Sequence, residues 1–147
     1  MDKKEFLNKV YDSVDAFIEA DEKIKDDESI VLDVVKYCGS MLEYASDRLK
    51  DNSKIVKAAI GEDQDALQYA SPRLRADKAT VMAAVKIWGV AIAYASDELR
   101  NDKDVAIAAI KARSSAIQVV SDELKKDAAF IKSAKKVDPD ILDWLAE

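Results

Sequence analysis

Residues 76–100 read ADKATVMAAVKIWGVAIAYASDELR, and residues 101–125 read NDKDVAIAAIKARSSAIQVVSDELK in the same frame. Stepping back by the same interval brings 51–75, DNSKIVKAAIGEDQDALQYASPRLR, and 26–50, DDESIVLDVVKYCGSMLEYASDRLK, into register without a gap. The first 25 residues fit as well, because Phe6, Val10, Phe17, Ala20, Ile24 and Lys25 occupy the columns of Val31, Val35, Leu42, Ala45, Leu49 and Lys50. The last 22 fit through Asp127, Ile131, Ala134, Leu142 and Leu145. A fixed period of this length marks a repeat architecture, here of about six repeats, so positions are counted 1 to 25 within each.

Apolar residues recur at positions 5, 6, 9 and 10, the spacing of one helix face, which predicts a helix over about positions 3 to 13. Asp27, Asn52, Asp77, Asp102 and Asp127 stand just before it, where a short acceptor side chain caps exposed backbone N–H groups. Gly39 and Gly89 follow the helix and are expected to end it in a left-handed conformation. Apolar residues at 16, 17 and 20 predict a second, shorter helix. Ser46, Ser71, Ser96 and Ser121 then precede a third helical turn, with Pro72 in the first-turn place that proline favours.

Ordering 25 residues costs on the order of 35–40 kcal/mol at about 1.5 per residue, and one such hairpin has little apolar area to offset that, so the repeats must stack. The fold class is all-α, a helical-repeat solenoid forming one domain over 1–147. Residues 1–25 make an N-terminal cap repeat, 26–125 four regular repeats and 126–147 a C-terminal cap repeat. Glu5, Glu19 and Asp21 in the first repeat, and Lys132 and Lys135 in the last, place polar groups where inner repeats are apolar or neutral, as solenoid ends require.

Composition agrees with this class. Apolar residues make up 49% and charged residues 35%, with only 3 Gly and 2 Pro, which favours helices over β-turns. The longest apolar stretch, Ile87 to Ala95, spans nine residues, far short of the roughly 20 needed to cross a bilayer, so no membrane association is expected. The N-terminal MDKKEFLNKVYD has no apolar run behind it, and a lone Cys38 allows no internal disulfide, so the expected location is the cytoplasm.

The repeats ADKATVMAAVKIWGVAIAYASDELRND and NDKDVAIAAIKARSSAIQVVSDELKKD resemble the repeat catalogued as domain of unknown function 4116, which runs D-K-x-V-V-x-A-A-V-K-x-x-G-x-A-L-x-Y-A-S-x-E-L-R-N. The resemblance covers residues 26 to 127. Departures are Gln64 and Ser114 in place of the position-14 glycine and Val119 in place of tyrosine. The resemblance implies a repeat type and no activity.

With no His and one Cys, the usual nucleophile–base pairs and zinc sites cannot be assembled, so no enzyme, cofactor or metal is expected. Glu62, Asp63 and Asp65 form the densest acidic cluster, but the further ligands of a calcium loop are missing, and a solvated turn is the expectation. The column Tyr44, Tyr69 and Tyr94 reads as core or rim packing ahead of ligand contact. The column Lys25, Lys50, Arg75, Arg100 and Lys125 reads as exposed charge whose field the following Asp column cancels. Together with a net charge of −6, this speaks against nucleic acid as a partner.

Two surfaces remain as candidates. The first is acidic, because Asp12, Asp15, Glu19, Asp21, Asp26, Asp27 and Glu28 crowd the N-terminal end, where a basic partner would be attracted. The second is the set of columns that do not repeat: positions 12 and 13 read Asp-Ser, Tyr-Cys, Glu-Asp, Ile-Trp, Ala-Arg and Val-Asp. The scaffold does not dictate them, and inter-helix ends are where repeat proteins present binding residues. Tyr37, Ile87, Trp88 and Arg113 are the candidate partner-binding residues there, with Trp88 either a surface anchor or the filling of a gap beside Gly89. The expected function is a non-catalytic protein–protein interaction module or scaffold. The alternative is an acidic inhibitor or decoy that blocks a basic, nucleic-acid-binding site on an effector.

Overall fold

The computed structural model describes residues 2–146, and among them every regular element is a helix. The chain forms two compact units, one ending at Ser71 and the other beginning at Pro72.

In the first unit the long helices are Lys3–Asp12, Glu28–Tyr37 and Ser53–Glu62, each packed on the next. Between them run the short segments Asp15–Ile18 and Gly39–Tyr44 and the turn helices Glu22–Lys25 and Asp47–Lys50, and Ala66–Tyr69 follows the third. The second unit opens with Pro72–Arg75 and stacks Lys78–Ile87, Lys103–Ala112 and Ala128–Val137 in the same way. Its linking segments are Gly89–Tyr94, Asp97–Arg100, Ser114–Val119 and Asp122–Lys126, and Ile141–Leu145 closes it. The chain is thus an all-α repeat of long helix, short helix and turn.

From the second repeat onward the short helix is 3-10 rather than α. Its rise of about 2.0 Å per residue carries the chain back along the long helix in few residues, and short runs tolerate the poorer hydrogen bonds. Caps fall where the Asp column predicts: Asp27 accepts from the Ile30 amide at 2.9 Å, Asp102 from Val105 at 3.1 Å and Asp127 from Phe130 at 2.7 Å. Thr80 is buried at a core position because its hydroxyl donates to the capping Asp77 at 2.7 Å.

The core is the stack of positions 5, 6, 9, 10, 17 and 24. It is represented by fully buried Val35, Ile55, Leu42 and Leu49 in the first unit and Val85, Ile110, Ile117 and Phe130 in the second. The serine that recurs at position 21 does two jobs beyond capping its own turn. The Ser46 and Ser71 amides donate to the Lys25 and Lys50 carbonyls at 2.9 Å, and Ser96 and Ser121 repeat the bond to Arg75 and Arg100. The Ser46, Ser71 and Ser121 hydroxyls donate to Asp26, Asp51 and Asn101, giving position 1 of the repeat a role.

Gly39 and Gly89 correct the sequence reading. Neither has a positive φ, and neither ends its helix in a left-handed conformation. Both are buried where the next long helix passes close. A methyl group on Gly89 would overlap the Ala109 carbonyl oxygen and lie 3.0 Å from the Arg113 Cβ, and one on Gly39 would overlap the Ala59 carbonyl and meet the Asp63 Cβ at 2.8 Å. Gly61, on an open helix face, would meet nothing within 4 Å.

Polar groups cover the first repeat, where Glu5, Glu19 and Asp21 are exposed. The last repeat exposes Lys132 and Lys135, but Leu142, Trp144 and Leu145 are exposed with them, so its outer face is mixed.

Candidate functional site

The long helix ends at position 12, where the chain must turn and the core columns give out. In the first unit this places Tyr37 at the surface, 52% exposed. Its ring lies 4.9 Å from that of Tyr11, tilted by 58°, and its hydroxyl donates to the Tyr11 carbonyl at 3.2 Å. Tyr11 is itself 44% exposed, so the two rings form one aromatic patch. Tyr11 stands at position 11, outside the non-repeating columns at positions 12 and 13. The signal was an offset of 26 residues, one more than the period, which also relates Gln118 to the Trp144 carbonyl it bonds at 2.8 Å.

In the second unit the same position holds Ile87, also 52% exposed. Trp88 follows as the residue that closes the helix, its amide donating to the Ala84 carbonyl at 2.8 Å, and its side chain is half-buried. Arg113 is exposed. Gly89 packs directly on the backbone and Cβ of Arg113, so the structure brings Ile87, Trp88 and Arg113 to adjoining helix ends.

The acidic candidates separate by occupation. Asp21 and Asp27 cap helices, accepting from Ile24 at 3.0 Å and Ile30 at 2.9 Å. Asp26 accepts from the Ser46 hydroxyl and from Arg48 Nε at 3.0 Å, which together hold its carboxyl below the ordinary range. Glu28 pairs with Lys54 at 3.6 Å, and Asp15 accepts from the Ser13 hydroxyl at 3.0 Å. Asp12 and Glu19 are exposed and make no hydrogen bond or ion pair among the described residues. Much of the acidity at this end therefore serves local structure.

The basic column also differs from its sequence reading. Lys25, Lys50, Arg75, Arg100 and Lys125 are half-buried. Arg75 Nε donates to the Tyr94 carbonyl at 2.8 Å, Arg100 Nε to Val119 at 3.3 Å and Lys125 Nζ to Gln118 at 2.7 Å, satisfying 3-10 carbonyls. The Asp column pairs instead with position 3 of the preceding repeat, as Lys78 with Asp102 and Lys103 with Asp127, both at 2.7 Å. Tyr44, Tyr69 and Tyr94 are half-buried at the rim. Burial, with Glu43, Asp63 and Asp65 nearby, pushes the Tyr69 hydroxyl above its ordinary pKa.

Asp63 accepts from the Asp65 amide at 2.8 Å, a turn-stabilising bond. No group of three or more Cys, Asp or Glu side chains among the described residues is placed to hold a metal ion. No helix among them is long and apolar enough to cross a membrane. A family model described as a domain of unknown function (DUF4116) matches three times, over residues 12–50, 27–75 and 77–125. No curated protein and no solved structure matches the chain.

Proposed function

The chain belongs to the DUF4116 family of repeat domains, and on that premise we propose that it is a non-catalytic protein-interaction module that meets its partner through the long-helix ends. The observation that carries this is the fate of position 12. Core columns of the repeat are closed to solvent, while Tyr37 and Ile87, at the same position in the two units, each stay 52% exposed. A partner covering such side chains gains roughly 25 cal/mol per Å² of apolar surface removed from water, and aromatic and large aliphatic anchors dominate protein interfaces. The absence of histidine and the use of acids as caps and pair members support a non-catalytic role. The lone Cys38 supports a reducing compartment, and the cytoplasm is the location that fits.

The test is retention of partners from a host lysate on the tagged full chain, with Tyr37→Ser and Ile87→Ser beside the wild type. Loss of a retained protein in either variant at unchanged melting temperature supports the reading, and identical retention by all three overturns it.

A second reading, an acidic inhibitor of a basic site, is favoured by one observation. Residues 1–71 hold 17 acidic and 10 basic side chains, net −7, whereas 72–147 hold 12 and 13. Binding through that acidity weakens steeply between low and physiological salt, while binding through Tyr37 or Ile87 changes little.

A further inference from the structure

Charge in the second unit is sorted by helix. The three long helices Lys78–Ile87, Lys103–Ala112 and Ala128–Val137 carry seven lysines and a single acid, Asp104. The other acids of this unit lie in the caps, the short helices and the last turns. Asp104 is already paired with Lys78 at 3.3 Å, and Lys103 with Asp127 at 2.7 Å. Lys86, Lys111 and Lys136 are exposed, and none makes an ion pair or hydrogen bond among the described residues. All three occupy position 11, so they form a column crossing the stacked helices, with neighbours about 8–10 Å apart as helix packing sets.

A groove of about 680 Å³ opens on this face. It is lined by Lys86, Lys103 and Lys111, by Asp104, which Lys78 neutralises, by Ser133, and by the apolar Ile107, Ala108, Ala112, Ala129 and Phe130. A concave, mainly apolar lining thus coincides with Lys86 and Lys111, two lysines without an ion pair among the described residues, and Lys136 continues their column on the next helix.

We propose that this face of the second unit binds an acidic, apolar-flanked segment of another protein, with Lys86, Lys111 and Lys136 meeting its carboxylates and the alanine and isoleucine floor taking its apolar side chains. The spacing suits such a chain in the polyproline-II conformation, where residues three apart lie on one face about 9 Å apart at roughly 3.1 Å per residue. A nucleic acid fits less well, since strand-binding grooves offer exposed aromatic faces and guanidinium groups for the bases to stack on. Here the apolar part of the lining is aliphatic at its surface, there is no guanidinium, and the one aromatic, Phe130, is buried. This inference rests on the interaction-module reading and gives it a partner chemistry.

The experiment uses the full chain and the fluorescent peptide ESLEALESLE, with the charge-reversed KSLKALKSLK as control, and follows anisotropy at low salt. The acidic peptide is expected to bind at least about tenfold tighter than the basic one and to weaken several-fold on raising salt, as screened charge pairs do. The K86E/K111E/K136E chain should lose at least about tenfold for the acidic peptide, and K86Q/K111Q/K136Q should lose less than that. Unchanged melting of the neutral variant shows that the fold is intact. Equal binding of the two peptides, or no change in either variant, overturns the proposal. So does binding of a labelled oligothymidylate or anionic vesicles in place of the peptide. If the peptide fails while Ile87→Ser still abolishes retention from lysate, only this inference falls and the interaction module stands.

Discussion

Replacing Gly89 by alanine tests the stacking geometry directly, because the same substitution at Gly61 should act with the opposite sign. At Gly89 the new methyl would overlap the Ala109 carbonyl oxygen and crowd the Arg113 amide and Cβ, all of them backbone-anchored atoms of the next repeat. No flexible side-chain end is available to yield, so two helices must move apart. Overpacking of this kind costs about 1–3 kcal/mol, and contact with backbone rather than side chain puts Gly89→Ala near the upper end. For a chain of this size each kcal/mol lowers the melting temperature by roughly 3 °C, so a fall of about 6–9 °C is expected. At Gly61 a methyl meets nothing within 4 Å, the residue is in a helix, and its φ is not positive. Gly61→Ala should therefore stabilise by about 0.5–1 kcal/mol through helix propensity and reduced freedom of the unfolded chain. Thermal melting by circular dichroism reads both. If Gly89→Ala is neutral, or moves in the same direction as Gly61→Ala, close approach is not the reason for glycine at position 14.

Other expectations follow from the same contacts. Ser46→Ala removes the cap on the Leu49 amide and the bond to Asp26, and should cost about 1–2 kcal/mol in a urea titration. Trp88→Ala, at a half-buried site, should cost about 2 kcal/mol, between the roughly 3–5 of a fully buried aromatic and the near-zero of a surface one. Asp26, Asp127 and Asp138 are held below their ordinary value of 3.8 by Ser46 and Arg48, by Lys103 and Phe130, and by Ser114 and Asp140 respectively. A depressed folded pKa contributes stability that is fully present above the unfolded value and is lost as pH falls through the folded one. Melting temperature should therefore be flat from about pH 5 to 8 and fall below about pH 4, and a rise on acidification would contradict these assignments.

What was legible in the sequence was what is local. The Asp column caps the long helices because capping needs only the residue and the next three amides, and the core columns follow from the helical period. Gly39 and Gly89 were read as helix terminators because that is the common local reason for a glycine there. Their actual reason lies 20 or more residues away, in the helix that passes over them. Arg75 and Arg100 were read as surface charge for the same reason, since the carbonyls they satisfy belong to the following repeat. The edge at positions 12 and 13 is visible in the sequence as the columns that fail to repeat. Tyr37 and Ile87 stand out in those columns, whereas Tyr11 does not, because it joins Tyr37 through an offset one residue longer than the period. The position-11 lysines were hidden because their significance is collective, arising only when three helices lie side by side.

The repeat buries some columns in its stack and leaves position 12 exposed at Tyr37 and Ile87, the edge proposed to meet a partner. Val85 and Ile87 stand on one helix two residues apart, the first fully buried and the second 52% exposed. Denaturant titration of Val85→Ala and Ile87→Ala is the most direct comparison. The expected loss is about 2 kcal/mol for Val85→Ala and less than about 0.5 for Ile87→Ala. Equal losses would mean that position 12 belongs to the scaffold, and the interaction edge would have to be sought elsewhere.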